Sequence, residues 1–217
     1  MTEFRTLSCP SCGAPVEMDR FAAMAVCDYC GSGVYLADEA AKALGEMAIL
    51  TEYPTPLYLH ATGSLRGKRF TVVGRVRYRY SRGFWDEWYL SYDDGSYGWI
   101  ADDEMEFSLE HEITDVKHVP DFESALPGSS IEVAGRSLII DEKDVAELEG
   151  AEGSLPWVMT KDQKFPYVEA SQEDFMATVE YSEDGPEVFS GEWVGQDEIK
   201  LDHPKDDGGG FAGWTDA

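Results

Sequence analysis

Positive charge is scarce in this sequence. Lysine and arginine together number 17, whereas aspartate and glutamate number 43, so the 217 residues carry a formal net charge of -26. Because such a surface repels phosphate groups, the composition argues against general binding to DNA, RNA or anionic membranes. It favours a protein partner that is basic or associated with a membrane, and it leaves the oligomeric state open.

The sequence also lacks a long apolar run. No stretch approaches the roughly 18 consecutive apolar residues that a membrane-spanning helix needs. Residues 1–5 contain no apolar segment typical of a secretory signal. These absences predict a cytoplasmic protein without a transmembrane segment. Hydrophobic residues still make up 43% of the chain, which is enough for an ordinary core and excludes a fully disordered protein.

Histidine is rare, and the motifs of common catalytic centres are missing. The four histidines, His60, His111, His118 and His203, lie far apart, and none belongs to a zinc-protease motif. The chain contains neither a glycine-rich phosphate-binding loop nor the Gly-x-Ser-x-Gly motif of a hydrolase nucleophile. The sequence therefore favours a non-enzymatic protein, although residues distant in sequence can still converge in a fold.

Cysteine is used sparingly but in a distinctive pattern. Cys9, Cys12, Cys27 and Cys30 form two Cys-x-x-Cys-Gly sequences with 14 residues between them. Two intervening residues let the chain turn so that both sulfurs converge, and the following glycine accepts the left-handed backbone of that turn. Four thiolates complete a tetrahedral shell, so the pattern predicts a zinc ribbon over residues 1–36 with one structural zinc ion. An iron–sulfur cluster is the alternative, because four thiolates do not by themselves select the metal.

The residues after the cysteines indicate a helical linker over residues 37–56. Asp38 as N-cap and an apolar stripe between residues 40 and 48 predict a helix over residues 37–50. Pro54 and Pro56 end it, because proline lacks a backbone N–H. The glycine-rich residues 203–217 are predicted to form a flexible tail.

Residues 57–202 form an acidic region of short β-rich runs separated by turn signals. This pattern predicts a mainly β protein whose larger part is an antiparallel β-barrel or β-sandwich-like domain. Asp94-Gly95 predicts a hairpin, and residues 141–148 suggest a short helix. Similar sequences around Gly95 and Gly185, and again before Ser64 and Ser129, suggest two related half-sheets.

Seven basic residues and no acidic one fall within residues 66–82. If residues 71–80 and 85–92 form a hairpin, three arginines share one face with Trp88, and the next hairpin adds Trp99 to that face. Such a face could bind an anionic or planar ligand. The interpretation that we favour is a structural cross-strand ladder, with Arg79 paired with Asp86. The candidate ligand- or partner-binding residues of this region are Arg75, Arg77, Arg79, Trp85, Glu87, Trp88 and Trp99.

Residues 63–100 resemble a bacterial family known as domain of unknown function 4178. The resembling residues are Gly63-Ser64-Leu65-Arg66-Gly67, Phe70-Thr71-Val72-Val73-Gly74, Trp85-Asp86-Glu87-Trp88-Tyr89 and Asp94-Gly95 with Gly98-Trp99. A weaker pattern continues to about Trp193. The resemblance implies a small β-rich domain of a bacterial cytoplasmic protein, often preceded by a zinc ribbon, and it implies no activity.

Two functional hypotheses are consistent with these patterns. The first is a non-enzymatic protein-interaction or adaptor module of a bacterial cytoplasmic assembly. The alternative is a β domain that binds an anion or small molecule, or acts as an enzyme, through Arg75, Arg77, Arg79, Trp88 and Trp99. The alternative requires a concave and accessible arginine face. A packed face with paired arginines would count against it.

Overall fold

The computed structural model describes residues 4–37, 40–114, 116, 119–182 and 185–205. Asp38, the predicted N-cap, His118, and residues 206–217 of the predicted tail lie outside the described residues. The described chain is almost entirely β-structure, and its sole helical segment is the single 3-10 turn Gln196–Glu198. No described helix is long and apolar enough to cross a membrane.

The N-terminal part contains five short strands. They are β1 (Phe4–Ser8), β2 (Pro15–Asp19), β3 (Met24–Val26), β4 (Ser32–Ala37) and β5 (Ala40–Glu46). Strands β1 and β2 form a separate antiparallel pair, whereas β3, β4 and β5 lie side by side in a larger sheet. The four-cysteine segment is therefore built from hairpins, as a ribbon requires.

The helix predicted over residues 37–50 was wrong. Residues 40–46 form β5, which pairs with β4 over its whole length. An isolated helix of this size is marginal in water, whereas the free edge of β4 offers a complete ladder of hydrogen bonds. Gly45, with a φ of 96°, has a backbone conformation that a helix does not accept. Tertiary pairing therefore overrides the helix preference of the alanines.

The larger part of the chain contains eleven strands. They are β6 (Thr62–Leu65), β7 (Lys68–Arg79), β8 (Phe84–Tyr92), β9 (Tyr97–Asp103), β10 (Glu106–Ile113), β11 (Ser130–Val133), β12 (Arg136–Leu155), β13 (Lys164–Gln172), β14 (Phe175–Ser182), β15 (Gly185–Val194) and β16 (Lys200–Leu201). Eight of them close into an antiparallel ring in the order β7-β8-β9-β10-β15-β14-β13-β12, and β12 pairs back to β7. The predicted mainly β fold and barrel-like domain are confirmed. Closure leaves the ring without a free edge.

The long strand β12 makes this closure possible. It pairs with β11 and β13 along its first half, with β7 over residues 147–153, and with β3 at Ser154 and Leu155. Two register shifts, between Ile140 and Glu142 and between Leu148 and Gly150, bend the strand between its successive partners. The short helix predicted over residues 141–148 was therefore wrong. Ala146 and Leu148 alternate with more exposed residues, as a strand with one buried face requires.

The barrel domain contains two successive series of strands. The first, β6 to β10, and the second, β11 to β15, each begin with a short hairpin whose two turn residues have positive φ: Arg66-Gly67 and Ala134-Gly135. This arrangement agrees with the expectation of two half-sheets. The sequence similarity around Gly95 and Gly185 does not, because these glycines lie at different connections, β8–β9 and β14–β15.

Much of the hydrophobic core lies on the outer face of the ring. Leu57 and Ala61 cover Trp88 on one half, and Ala125 and Ile131 belong to the cluster that covers the other half. Inside the ring, a further cluster of tyrosine, tryptophan and aliphatic side chains packs against Met24, Val26 and Met47 of the N-terminal part. The remainder of the interior is polar and holds the cavity described below.

Gly74 marks a point where the ring closes tightly. It lies opposite Gly153, and a Cβ atom there would lie 2.2 Å from the backbone oxygen of Ser154. That oxygen belongs to a paired strand and cannot move alone. We expect Gly74→Ala to lower the free energy of unfolding by about 1–3 kcal/mol, measured by urea denaturation.

The matched control is Gly83→Ala, in the loop at the end of the same strand. Its Cβ atom would approach no atom closer than 3.9 Å, so a change below about 0.5 kcal/mol is expected. Equal losses for the two variants would show that close approach at the seam is not the cause.

Candidate metal centre and barrel cavity

The two cysteine pairs form turns with the same hydrogen bonds. Gly13 N–H donates to the carbonyl of Cys9 and Gly31 N–H to that of Cys27, at 2.9 and 2.8 Å. The amides of Cys9 and Cys27 in turn donate to the carbonyls five residues later, at 2.8 and 2.9 Å. Both glycines have positive φ, 78° and 68°. The sequence predicted this feature correctly, because the glycine after each pair is what the turn needs.

The four sulfurs lie at the spacing of a metal centre. The Sγ atoms of Cys9 and Cys30, and those of Cys12 and Cys27, are 3.7 Å apart, and all four lie within 4.8 Å of one another. A Zn–S bond of 2.3 Å puts the corners of a tetrahedron about 3.8 Å apart. A disulfide would need about 2.05 Å, and all four cysteines are free. These residues therefore fit a four-coordinate metal ion.

The four-cysteine segment is attached directly to the ring. Strand β3 pairs with the end of β12, where Met24 lies opposite Leu155. Asp19 N–H donates to Ser154 Oγ at 2.9 Å, and the Asp19 carboxylate accepts a hydrogen bond from Tyr97 at 3.0 Å. A metal ion in this segment would therefore stabilise both the four-cysteine segment and its contact with the barrel.

The predicted arginine face exists, but the pairing of the two strands is shifted by two residues from the register that we assumed. Arg77 lies opposite Asp86, and Arg75 lies opposite Trp88. The fully buried Asp86 carboxylate accepts hydrogen bonds of 2.7 to 2.8 Å from both guanidinium groups. Arg77 also donates to Thr51, in the segment that covers this face. These contacts favour the structural interpretation of the two arginines over the ligand-binding one.

Trp99 was predicted to lie on the arginine face, but it lies on the opposite face of the sheet. It pairs with Tyr89, with ring centroids 4.6 Å apart, whereas Trp88 pairs with Ile100. The prediction assumed a two-residue turn at Asp94-Gly95. The chain instead makes a three-residue loop over residues 93–95, closed by Tyr92 and Ser96, with Gly95 at a φ of 83°. A register shift of one residue moves every following side chain to the other face.

All seven basic residues of residues 66–82 form ion pairs. The partners are Glu192 and Glu198 for Arg66, Asp94 for Lys68, Asp202 for Arg69, Asp86 for Arg75 and Arg77, Glu147 for Arg79, and Glu142 for Arg82. The basic segment is thus neutralised within the molecule, and the excess acidic charge remains.

The inner face of the same hairpin lines a cavity of about 220 Å³. Tyr78 and Trp85 stack there with ring centroids 5.2 Å apart, and Phe165 and Tyr167 approach this pair to 5.4 Å. Glu87 accepts a hydrogen bond from the indole nitrogen of Trp85 at 3.0 Å. Trp85 and Glu87 therefore share a site that is separate from the arginine face.

Six glutamates line this cavity, and four of them are deeply buried: Glu87, Glu110, Glu169 and Glu180. Burial, reinforced by neighbouring carboxylates, raises the pKa of Glu169 to about 7 and that of Glu180 to about 8. Burial likewise raises the pKa values of Glu87 and Glu110. Arg82 is the sole basic residue among the described lining residues, and it pairs with Glu142. At neutral pH the carboxyl groups of the cavity thus outnumber its cations, and the one described cation is already paired with Glu142.

Sequence reasoning identified Glu87 and missed the other five cavity glutamates. A signal exists in the alternation along the strands: Phe165, Tyr167 and Glu169 occupy every second position of β13. The same pattern would describe the solvent face of an open sheet. Only the closed ring turns these positions toward one enclosed space.

Comparison with known proteins gives a family and no activity. The sequence model of the family described as "Domain of unknown function (DUF4178)" matches residues 59–196, which include all eight strands of the ring but not the four cysteines. No curated protein and no solved structure matches the chain.

Proposed function

The chain belongs to the DUF4178 family, whose description names no activity, and we propose that it is a non-enzymatic protein-interaction module of a bacterial cytoplasmic assembly. Its N-terminal part is a ribbon that holds a structural zinc ion, and its barrel offers an acidic surface to a basic partner. The observation that carries the proposal is the internal neutralisation of every basic residue in residues 66–82.

The role of the zinc ion follows from its ligands. Four thiolates fill a tetrahedral shell and leave no position for water or substrate. Zinc is preferred to an iron cluster because the 3.7 Å sulfur separations match the edge of a single ZnS₄ tetrahedron. The ion acts through stability: it holds the two turns together and keeps β3 in position against β12.

The preference for a basic partner follows from charge. The net charge is -26, and the positive charges that could have formed a local basic patch are used in internal ion pairs. No described residue forms an ion pair with exposed carboxylates such as Glu123, Glu132 and Glu173, so they remain available to a partner's lysines and arginines. The anion-binding alternative loses support, because Arg75 and Arg77 are buried against Asp86.

We expect the complex with this partner to weaken steeply with salt. The full-length chain is immobilised, proteins are captured from the native lysate, and the affinity of each purified partner is measured at low and high ionic strength. Because charge attraction between exposed groups is screened within about 10 Å at 0.1 M salt, the affinity should fall at least tenfold over that range.

A variant that carries Glu123→Gln, Glu132→Gln and Glu173→Gln lacks three exposed charges. The salt dependence of its binding should therefore be weaker. A partner whose binding is insensitive to salt, or retention of the chain on a DNA duplex at physiological salt, would refute the proposed charge complementarity.

A further inference from the structure

We propose that the polar cavity inside the barrel is a binding site for a small organic ammonium ion. The site lies inside the ring, away from the outer surface to which the basic partner is assigned, so either proposal can hold without the other.

The first argument is the unbalanced charge of the lining. Glu169 and Glu180 receive no hydrogen bond from any described group, and Arg82, the one described cation of the lining, is paired with Glu142. Each retains some accessible area because the cavity itself admits water, although each lies deep within the protein. Burial of several carboxyl groups without a partner is unfavourable, and a ligand with positive charge and N–H donors removes both deficits.

The second and independent argument is an unsatisfied hydroxyl group. Tyr78 lines the cavity, is only 1% exposed, and its hydroxyl has no hydrogen-bond partner among the described residues. Buried polar groups are almost always paired, so this hydroxyl indicates a partner that is not part of the chain. An ammonium N–H can donate to its oxygen.

The aromatic rings explain why the ion should be organic. Tyr78, Trp85, Phe165 and Tyr167 form a continuous group of rings whose faces attract a cation and whose edges pack against carbon. A metal ion fits less well, because among the described residues only the four cysteines have ligand atoms close enough together to hold one. The cavity carboxylates are too widely spaced for this role.

The cavity volume limits the size of the ligand. A cavity of about 150 Å³ accepts benzene in a well-studied protein, so about 220 Å³ suits an alkylammonium ion of a few carbon atoms. The n-butylammonium ion is a suitable probe, and n-butanol is its uncharged counterpart of similar shape.

Ligand binding should be coupled to proton release. The other ionisable groups that line the cavity are Tyr78, Glu87, Asp103, Glu106, Glu110, Glu142 and Tyr167, with Tyr80 and Arg82 in the β7–β8 loop. Outside the lining, Glu187 on β15 contributes to the raised pKa of Glu180, and Asp141 on β12 contributes to that of Glu169. Raised pKa values of about 7 and 8 mean that Glu169 and Glu180 hold protons near neutral pH. A cation favours their ionised forms, so its affinity should rise as pH increases from about 6 to about 9, where a primary amine is still charged.

The test is calorimetric titration of the full-length, metal-loaded chain with n-butylammonium, n-butanol and calcium chloride above about pH 8. We expect n-butylammonium to bind and n-butanol to bind at least tenfold more weakly. Glu180→Gln should weaken n-butylammonium binding about tenfold or more, and Tyr78→Phe about threefold to tenfold. Glu132→Gln, which removes an exposed charge from β11, should leave the affinity unchanged.

Stability measurements separate a binding role from a structural one. Glu180→Gln should raise the midpoint of thermal unfolding of the unliganded chain above about pH 8, because it removes a carboxyl group that burial disfavours in its charged form. Tyr78→Phe should not lower the midpoint, because its hydroxyl has no partner. Equal binding of n-butanol, displacement of n-butylammonium by calcium, or no binding of n-butylammonium would each overturn the assignment.

Discussion

Cys27→Ser is expected to abolish metal binding and to unfold the N-terminal ribbon while the barrel stays folded. The ribbon has only a small hydrophobic cluster of its own, around Met18, Ala25 and Val34, which is too little to order its hairpins. Binding of structural zinc supplies about 10–16 kcal/mol in comparable peptides, and loss of one of four ligands removes most of it. The metal content should fall from one ion per chain to almost none.

Two measurements distinguish the parts of the molecule. The first tryptophan in the sequence is Trp85, so tryptophan fluorescence monitors the barrel and not the ribbon. Hydrogen exchange of residues 4–37 monitors the ribbon, and we expect its protection to be lost in the variant. Ser11→Ala is the control. Ser11 lies between two candidate ligands, but its hydroxyl oxygen only accepts a hydrogen bond from the Ser32 hydroxyl, at 3.0 Å. It should retain the metal.

Elemental analysis decides which metal is bound. Zinc without visible absorption supports the proposal, whereas iron with inorganic sulfide would identify a cluster instead. Freshly isolated protein with no metal and with its thiols paired as disulfides would contradict both.

Asp86→Ala is expected to lower the free energy of unfolding by about 3–5 kcal/mol. The carboxylate is fully buried and binds Arg75 and Arg77, whose side chains are 5% and 1% exposed. Its removal leaves two guanidinium groups in the interior without their main counter-charge, which costs far more than an exposed ion pair contributes. The loss is measured by urea denaturation at neutral pH.

Arg79→Ala is the matched control, because Arg79 forms an exposed ion pair with Glu147 on the same hairpin face. Its loss should cost less than about 1 kcal/mol. Replacing Asp86, Arg75 and Arg77 together by apolar residues should recover much of the stability lost by Asp86→Ala. A cost below about 1 kcal/mol for Asp86→Ala would mean that water or Glu152 compensates the arginines.

The sequence was sufficient for features that depend on neighbouring residues. The four-cysteine site follows from two residues between each pair and a glycine after it, because this spacing sets the local turn whatever surrounds it. The face shared by Arg75, Arg77 and Trp88 follows from the alternation of a strand, which a register error of two residues does not change.

Features that depend on distant partners could not be predicted. The alanines of residues 40–46 favour a helix, and only the free edge of β4 makes them a strand. One additional residue in the loop over residues 93–95 moves Trp99 to the opposite face from Trp88, and the turn sequence alone did not distinguish the two loop lengths.

The four-cysteine site and the barrel cavity thus differ in whether the sequence alone predicts them. The sequence by itself determined the four candidate metal ligands and the β character of the chain, because turn geometry and strand alternation are local properties. Only the tertiary structure decided that the arginines are neutralised and that glutamates from five strands surround one cavity. Pairing of β12 with β7 is a contact between segments some 70 residues apart, and it alone converts an open sheet into an enclosed space.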